Sequence, residues 1–175
     1  MIGISVKGNV KDVLRDLNDK QKHVIPQAAA RALNRVINTV KSRTVKDISA
    51  KTKLKQKDIR ARMIIRGASK AKLEAVLKAL PYSPNLSKFS ARQTKPGVVA
   101  NAWEGRKVYR GTFTMPGGSV VKRTTKARYP IKGVYGPSLI SNFKKQDNIE
   151  LMKQVAGERW SIEFEHEVAR RLSRL

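Results

Sequence analysis

The sequence predicts an α+β fold: N-terminal helices, a small antiparallel β-sheet, and a long C-terminal helix packed on one face of it. Three observations predict this. Apolar residues recur at helical spacing from Pro26 to Ala50, a Gly- and Thr-rich middle is broken by turn dipeptides, and an apolar stripe runs from Ile149 to Leu172. A chain of 175 residues suits a single domain over 1–175, with a helical part at 1–69, a β-rich part at 70–136 and the C-terminal helix at 137–175.

The first element is a strand at "IGISV", where Ile2, Ile4 and Val6 recur. A short amphipathic helix follows from Val10 to about His23, with Val10, Val13, Leu14 and Leu17 at helical spacing and Asn9 as its N-cap. Pro26 is placed to open the next helix, because its missing N–H would be unpaired in a first turn anyway. From there Ala29, Leu33, Val36, Ile37, Val40 and Ile48 share one face, and Arg31, Arg35, Lys41 and Arg43 fall off it. After a break at "KTKL", "KQKDIRARMI" predicts a second, shorter helix.

"KAKLEAVLKAL" fits both periods: Leu73, Ala75 and Leu77 alternate as in a strand, whereas Leu73, Val76, Leu77 and Leu80 fit a helix. The Pro-rich turn "PYSPN" that ends it favours the strand. "PGVVANAW", "RKVYRGTFTM" and "GGSVVKRT" then read as strands of an antiparallel meander, separated by Glu104-Gly105 and Pro116-Gly117-Gly118. Val108, Arg110, Thr112 and Thr114 are expected on one face, Tyr109, Gly111, Phe113 and Met115 on the other. The last helix carries Ile149, Met152, Ala156, Trp160, Phe164, Val168 and Leu172 on one stripe. On such a stripe Trp160 is a packing residue rather than a base-stacking platform.

Charge points to a partner. The chain has 38 Lys and Arg against 13 Asp and Glu, a formal net of +25, which favours polyanions through release of the counterions condensed on phosphate. The balance is uneven. Residues 41–72 hold twelve basic groups against Asp47 and Asp58, and residues 105–146 hold ten with no acid, whereas residues 147–175 are close to neutral. Within the first block Lys51, Lys53, Lys55, Lys57, Arg60 and Arg62 lie close together and read as a mobile arm or loop tracking phosphates; Lys122, Arg123 and Lys126 form a second candidate strip. The competing reading is a solvated basic loop.

Catalytic chemistry finds little support. There is no Cys, which excludes disulfides and Cys-based zinc sites. His23 and His166 fall in unrelated segments without the spacing of a helical zinc motif, and Glu163 and Glu167 beside His166 suit an ordinary ion pair. Phosphate loops, nucleophile elbows and dinucleotide fingerprints are missing. Of the acids a two-metal nuclease would need, only Glu74 and Glu104 fall in the β region. The chain therefore reads as a non-enzyme without metal or cofactor. No apolar run has the length of a signal peptide or a membrane span, so a soluble chain or part of a soluble assembly is expected.

The order of features resembles a known family. "VIPQAAARALNRVINTVKSRTVKDISAKTKLKQKDIRAR", the glycine-containing β region and "ARYPIKGVYGPSLISNF" look like the phage minor tail protein Z family, the tail-completion proteins of lambda-like long-tailed phages. Ala32, Leu33, Asn34, Arg35 and Val36 match an Ala-x-Asn-Arg-Val-like step in a Pro-Ala-Ala-rich helix. Thr52 and Lys53 match the Thr-Lys-like start of a basic segment. Arg128, Tyr129, Pro130 and Ile131 match an Arg-Tyr-Pro-Ile signature, with Pro137 at the entry to the last helix. The resemblance spans roughly Val24 to the C-terminus but departs from the pattern over residues 81–107.

The resemblance implies a structural virion protein that completes the head-proximal end of a phage tail. It implies a homo-oligomer, usually a hexameric ring in the neck, made in the host cytoplasm. Tail-terminator, tail-tube or head–tail connector proteins would be its neighbours, and double-stranded DNA would be met non-specifically. Two other readings stand beside it: a free basic DNA- or RNA-binding protein, and an assembly chaperone absent from the mature particle.

Overall fold

A computed structural model describes residues 2–7, 19–103 and 105–173. Most of the helix expected over Val10–His23 lies outside the described residues; its last five, from Asp19, belong to the long helix that follows. The described chain mixes helices with three small antiparallel sheets and ends in a long helix. It divides into two compact units, one of residues 1–44, 63–80 and 145–175, the other of residues 45–62 and 81–144.

Helix α1 runs from Asp19 to Thr52 and contributes to both units. Every residue of its expected apolar face, from Ala29 to Ile48, is buried, and Arg31, Arg35 and Arg43 are exposed. The start differs from expectation: Pro26 lies inside the helix rather than at its first turn. The local rule weighs only the missing N–H. It omits the burial of Ile25, Ala28, Ala29 and Ala32, which holds the segment helical on both sides of the proline. Pro26→Ala is accordingly expected to stabilise the protein by about 2 kcal/mol, read as a higher denaturation midpoint with an unchanged slope on denaturant.

In the first unit, strands β1 (Ile2–Lys7), β2 (Met63–Arg66) and β3 (Glu74–Ala79) form an antiparallel sheet in the order β1-β3-β2. Ile4 and Ile65 both face Leu77, and Met63 faces Ala79. Ala75, Leu77 and Ala79 are buried while the residues between them are not, so the alternating reading of "KLEAVLKAL" is the right one. The segment Met63–Arg66 was expected to begin as the end of a helix, through Met63 and Ile64. It is a strand instead, because Met63 and Ile65 find cross-strand apolar partners that a local pattern cannot reveal.

Helix α4 in the order of the chain, Gln146–Leu172, closes this unit; a short helix, α3 (Leu139–Phe143), precedes it. Met152 and Ala156 are buried and Trp160 and Phe164 are half-buried, their rings stacked 5.2 Å apart and packed, like Leu73, against Ile25 and Ala29. Trp160 is thus a packing residue, as its place on the stripe predicts. Leu172 departs from the stripe and is exposed.

The Asn34-Arg35 step now has a physical meaning. The Asn34 amide donates to the Ala68 carbonyl at 3.0 Å and accepts from the Ala68 N–H at 2.7 Å, fastening the loop after β2 to α1. Arg35 reaches α4, with Nη1 at 3.3 Å from Glu163 and Nη2 at 3.0 Å from Glu167. Glu163 and Glu167 therefore pair with Arg35 across two helices, not with the exposed His166 beside them.

The second unit adds to the end of α1 a short helix α2 (Gln56–Arg60) and two meanders. One contains β4 (Arg92–Thr94), β5 (Gly97–Ala102) and β6 (Gly105–Arg110); the other contains β7 (Thr112–Thr114), β8 (Val120–Arg123) and β9 (Ile131–Gly133). "RKVYRGTFTM" was expected as one strand with fixed faces. It is two strands of different sheets, because Gly111 takes φ +69° and breaks the alternation. Val108 is exposed and Thr112 buried in consequence.

The core of this unit includes Leu54, Ile59, Leu86, Phe89, Val98, Ala100, Val120 and Phe143. Asn85 ties its parts together: its amide donates to the Val120 carbonyl at 2.9 Å and accepts from Val120 N–H at 2.8 Å and Ser87 N–H at 3.1 Å. The "VYGPSL" stretch runs beside Tyr82–Leu86, with Leu86 N–H on the Val134 carbonyl, Gly136 N–H on Pro84 and Leu139 N–H on Tyr82. Pro137 is buried and Leu139 opens α3, so this stretch is architecture.

Candidate nucleic-acid interface

All nine basic residues singled out from the sequence fall in the second unit, and all are exposed. The sequence of that unit holds nineteen Lys and Arg against Asp47, Asp58 and Glu104. The first unit has as many basic residues but ten acids. Most of the net charge therefore belongs to the second unit.

The stretch from Lys51 to Arg62 is not an arm. Lys51 lies in the last turn of α1 with Nζ at 2.8 Å from Asp47. Lys53 takes φ +60° and donates its N–H to the Ser49 carbonyl at 2.9 Å, closing the helix. The alternation of lysines arises because Thr52 and Leu54 between them are buried: Thr52 Oγ1 donates to the Ile48 carbonyl at 2.7 Å, and Ser49 Oγ to that of Leu54 at 2.6 Å. Lys55 caps α2, Lys57 and Arg60 lie within it, and Ile59 anchors it in the core. Arg62 sits 4.8 Å over the Tyr82 ring. The backbone of the basic block is thus fixed, and its lysines are presented from a helix–turn–helix.

Lys122 and Arg123 belong to β8, and Lys126 to the loop before β9. That loop carries the Arg-Tyr-Pro signature. The Tyr129–Pro130 peptide is cis, and the Pro130 carbonyl accepts from both the N–H and the hydroxyl of Thr124 at 3.2 Å. Pro130 stands just before an edge strand, where its missing N–H costs no ladder bond. Arg128 lies 5.9 Å from the centre of the Tyr129 ring, and Tyr129 is 66% exposed.

Folding around this loop brings together residues that sequence reasoning did not single out. Lys132 stands directly opposite Lys122, and Ile131 opposite Arg123. Arg123 also lies 5.4 Å over the Phe113 ring. Lys95, in the turn between β4 and β5, lines one hollow of about 510 Å³ with Arg123, Thr125 and Lys126.

Elsewhere the chemistry is spare. Burial raises the pKa of Tyr109, whose hydroxyl has no hydrogen-bond partner. Glu74 is taken up by Lys72 at 3.0 Å, and Glu104 lies outside the described residues. Among the described residues no group of three His, Asp or Glu could hold a metal ion, and no helix is long and apolar enough to cross a membrane.

Comparison with known proteins gives these residues a setting. The tail completion protein of Escherichia phage N15 is 29% identical over 158 residues, covering 82% of this chain and 85% of that protein. No solved structure matches the chain. The family model described as prophage minor tail protein Z matches residues 6–175, including the Asn34-Arg35 step and the Arg-Tyr-Pro turn. The chain belongs to the prophage minor tail protein Z family of phage tail proteins.

Proposed function

We propose that the chain is a structural virion protein that completes the head-proximal end of a phage tail, forms a ring in the neck and meets the DNA end through non-specific cationic contacts. Membership of the tail protein Z family and the likeness to a tail completion protein support the tail role. The observation that carries the DNA contact is the charge of the second unit, nineteen basic residues against three acids. Such a surface suits phosphate contacts, which position a protein without reading sequence. Tail-terminator, tail-tube or connector proteins are its neighbours in this reading, and no catalytic step is required of it.

The basic helix–turn–helix supplies the test. Charge reversal of Lys53, Lys55 and Lys57 to Glu leaves folding intact, since all three side chains are exposed, and lowers infectivity or DNA retention by about tenfold or more. Wild-type infectivity and retention in the triple variant would move the contact elsewhere. Mass spectrometry of purified virions separates a virion component from an assembly chaperone: absence from finished particles would overturn the structural role.

A further inference from the structure

The register of the last meander places two lysines where a sheet normally avoids them. Lys122 of β8 and Lys132 of β9 are direct cross-strand partners, and both are exposed. Residues so paired have Cβ atoms about 5 Å apart, and like charges at that spacing repel. Among the described residues neither has a carboxylate partner, nor do Arg123, Lys126 and Lys95 beside them.

We infer that this hairpin seats a phosphate group of a nucleic-acid backbone between Lys122 and Lys132. The pair borders a hollow of about 440 Å³ shared with Arg123, Thr124 and Tyr135. Arg123, one residue on from Lys122, stacks over Phe113 on the opposite face of the strand pair, so its planar fork is placed for an oxyanion beyond this seat. The hydroxyl of Tyr135 adds a donor suited to phosphate oxygens. A second hollow that also borders Arg123 adds Lys95 and Lys126, which extends the cationic track beyond one phosphate. Residues 105–146 contain ten basic groups and no acid. That uniformity suits a uniformly charged polymer. An anion between the two ammonium groups turns a repulsive pair into a binding one.

The inference rests on the reading that this unit meets DNA, and one experiment separates the two. Binding of a short fluorescein-labelled blunt duplex to the full chain is followed by anisotropy between about 50 mM and 200 mM salt. In Lys122→Gln/Lys132→Gln the log K against log salt slope becomes shallower by about one to two units, and affinity at the low-salt end falls about tenfold. Without DNA the same variant melts about 2 °C higher at low salt, because the repulsion is gone. Lys122→Arg/Lys132→Arg keeps the wild-type slope. An unchanged slope in the Gln variant, with wild-type protein binding normally, overturns the seat and leaves the DNA reading standing; wild-type protein that binds no duplex overturns the DNA reading itself. If inorganic phosphate, against chloride at equal ionic strength, raises the melting temperature only when the lysines are present, while the duplex slope does not depend on them, the seat takes free phosphate and the backbone assignment fails. Poly-glutamate competing as well as unlabelled duplex overturns it in favour of an acidic protein.

Discussion

Gly136→Ala is expected to destabilise the protein by about 3 kcal/mol, measured by chemical denaturation. A Cβ at this position would overlap Cε2 and Cζ of Phe89, a ring that is 1% exposed and sits in the core of the second unit. The ring has nowhere to retreat, since Gly136 is itself pinned by the bond from its N–H to the Pro84 carbonyl at 2.8 Å. Phe89→Leu in the Gly136→Ala background removes the overlapping atoms and recovers part of the loss. Additive effects of the two substitutions would show that the glycine serves some purpose other than close approach.

Arg35→Met has a comparable expected cost, about 3 kcal/mol. Glu167 is only 1% exposed, and neither carboxylate oxygen has a hydrogen-bond partner. Arg35 Nη2 at 3.0 Å is thus its principal compensation, with Arg170 more distant at 3.9 Å. Removing the guanidinium strands a carboxylate out of water. The double variant Arg35→Met/Glu167→Leu, which removes the buried carboxylate together with its partner, is expected within about 1 kcal/mol of wild type. A double variant no better than the single one would mean that Arg35 acts through Glu163 alone.

The second of these predictions rests on a residue that the sequence had marked. Asn34 and Arg35 were visible as a family step, and only the fold shows that one clamps a loop while the other ties α1 to α4. Asn85 performs the same clamping in the second unit and carried no sequence signal, because its partner Val120 lies 35 positions away. The face of α1 was legible because its apolar spacing is dense and local. Its true start was not, since a local rule for Pro26 cannot weigh the buried alanines around it.

Strands were legible where one face is buried, as at Ala75, Leu77 and Ala79. The division at Gly111 was not, because the residue pattern from Val108 to Thr114 carries no mark of the break that Gly111 makes between the two sheets. The candidate site shows the same limit. Composition identified the basic stretches, but their presentation depended on Thr52 and Leu54, small anchors between the lysines. The Lys122–Lys132 pair existed only once the register of β8 and β9 was known.

The central claim is a place in the particle. Electron microscopy of assembled tails carrying this protein with a visible label tests it most directly. The account predicts label confined to the head-proximal end of the tail. Label distributed along the shaft, or gathered at the distal tip, would contradict it.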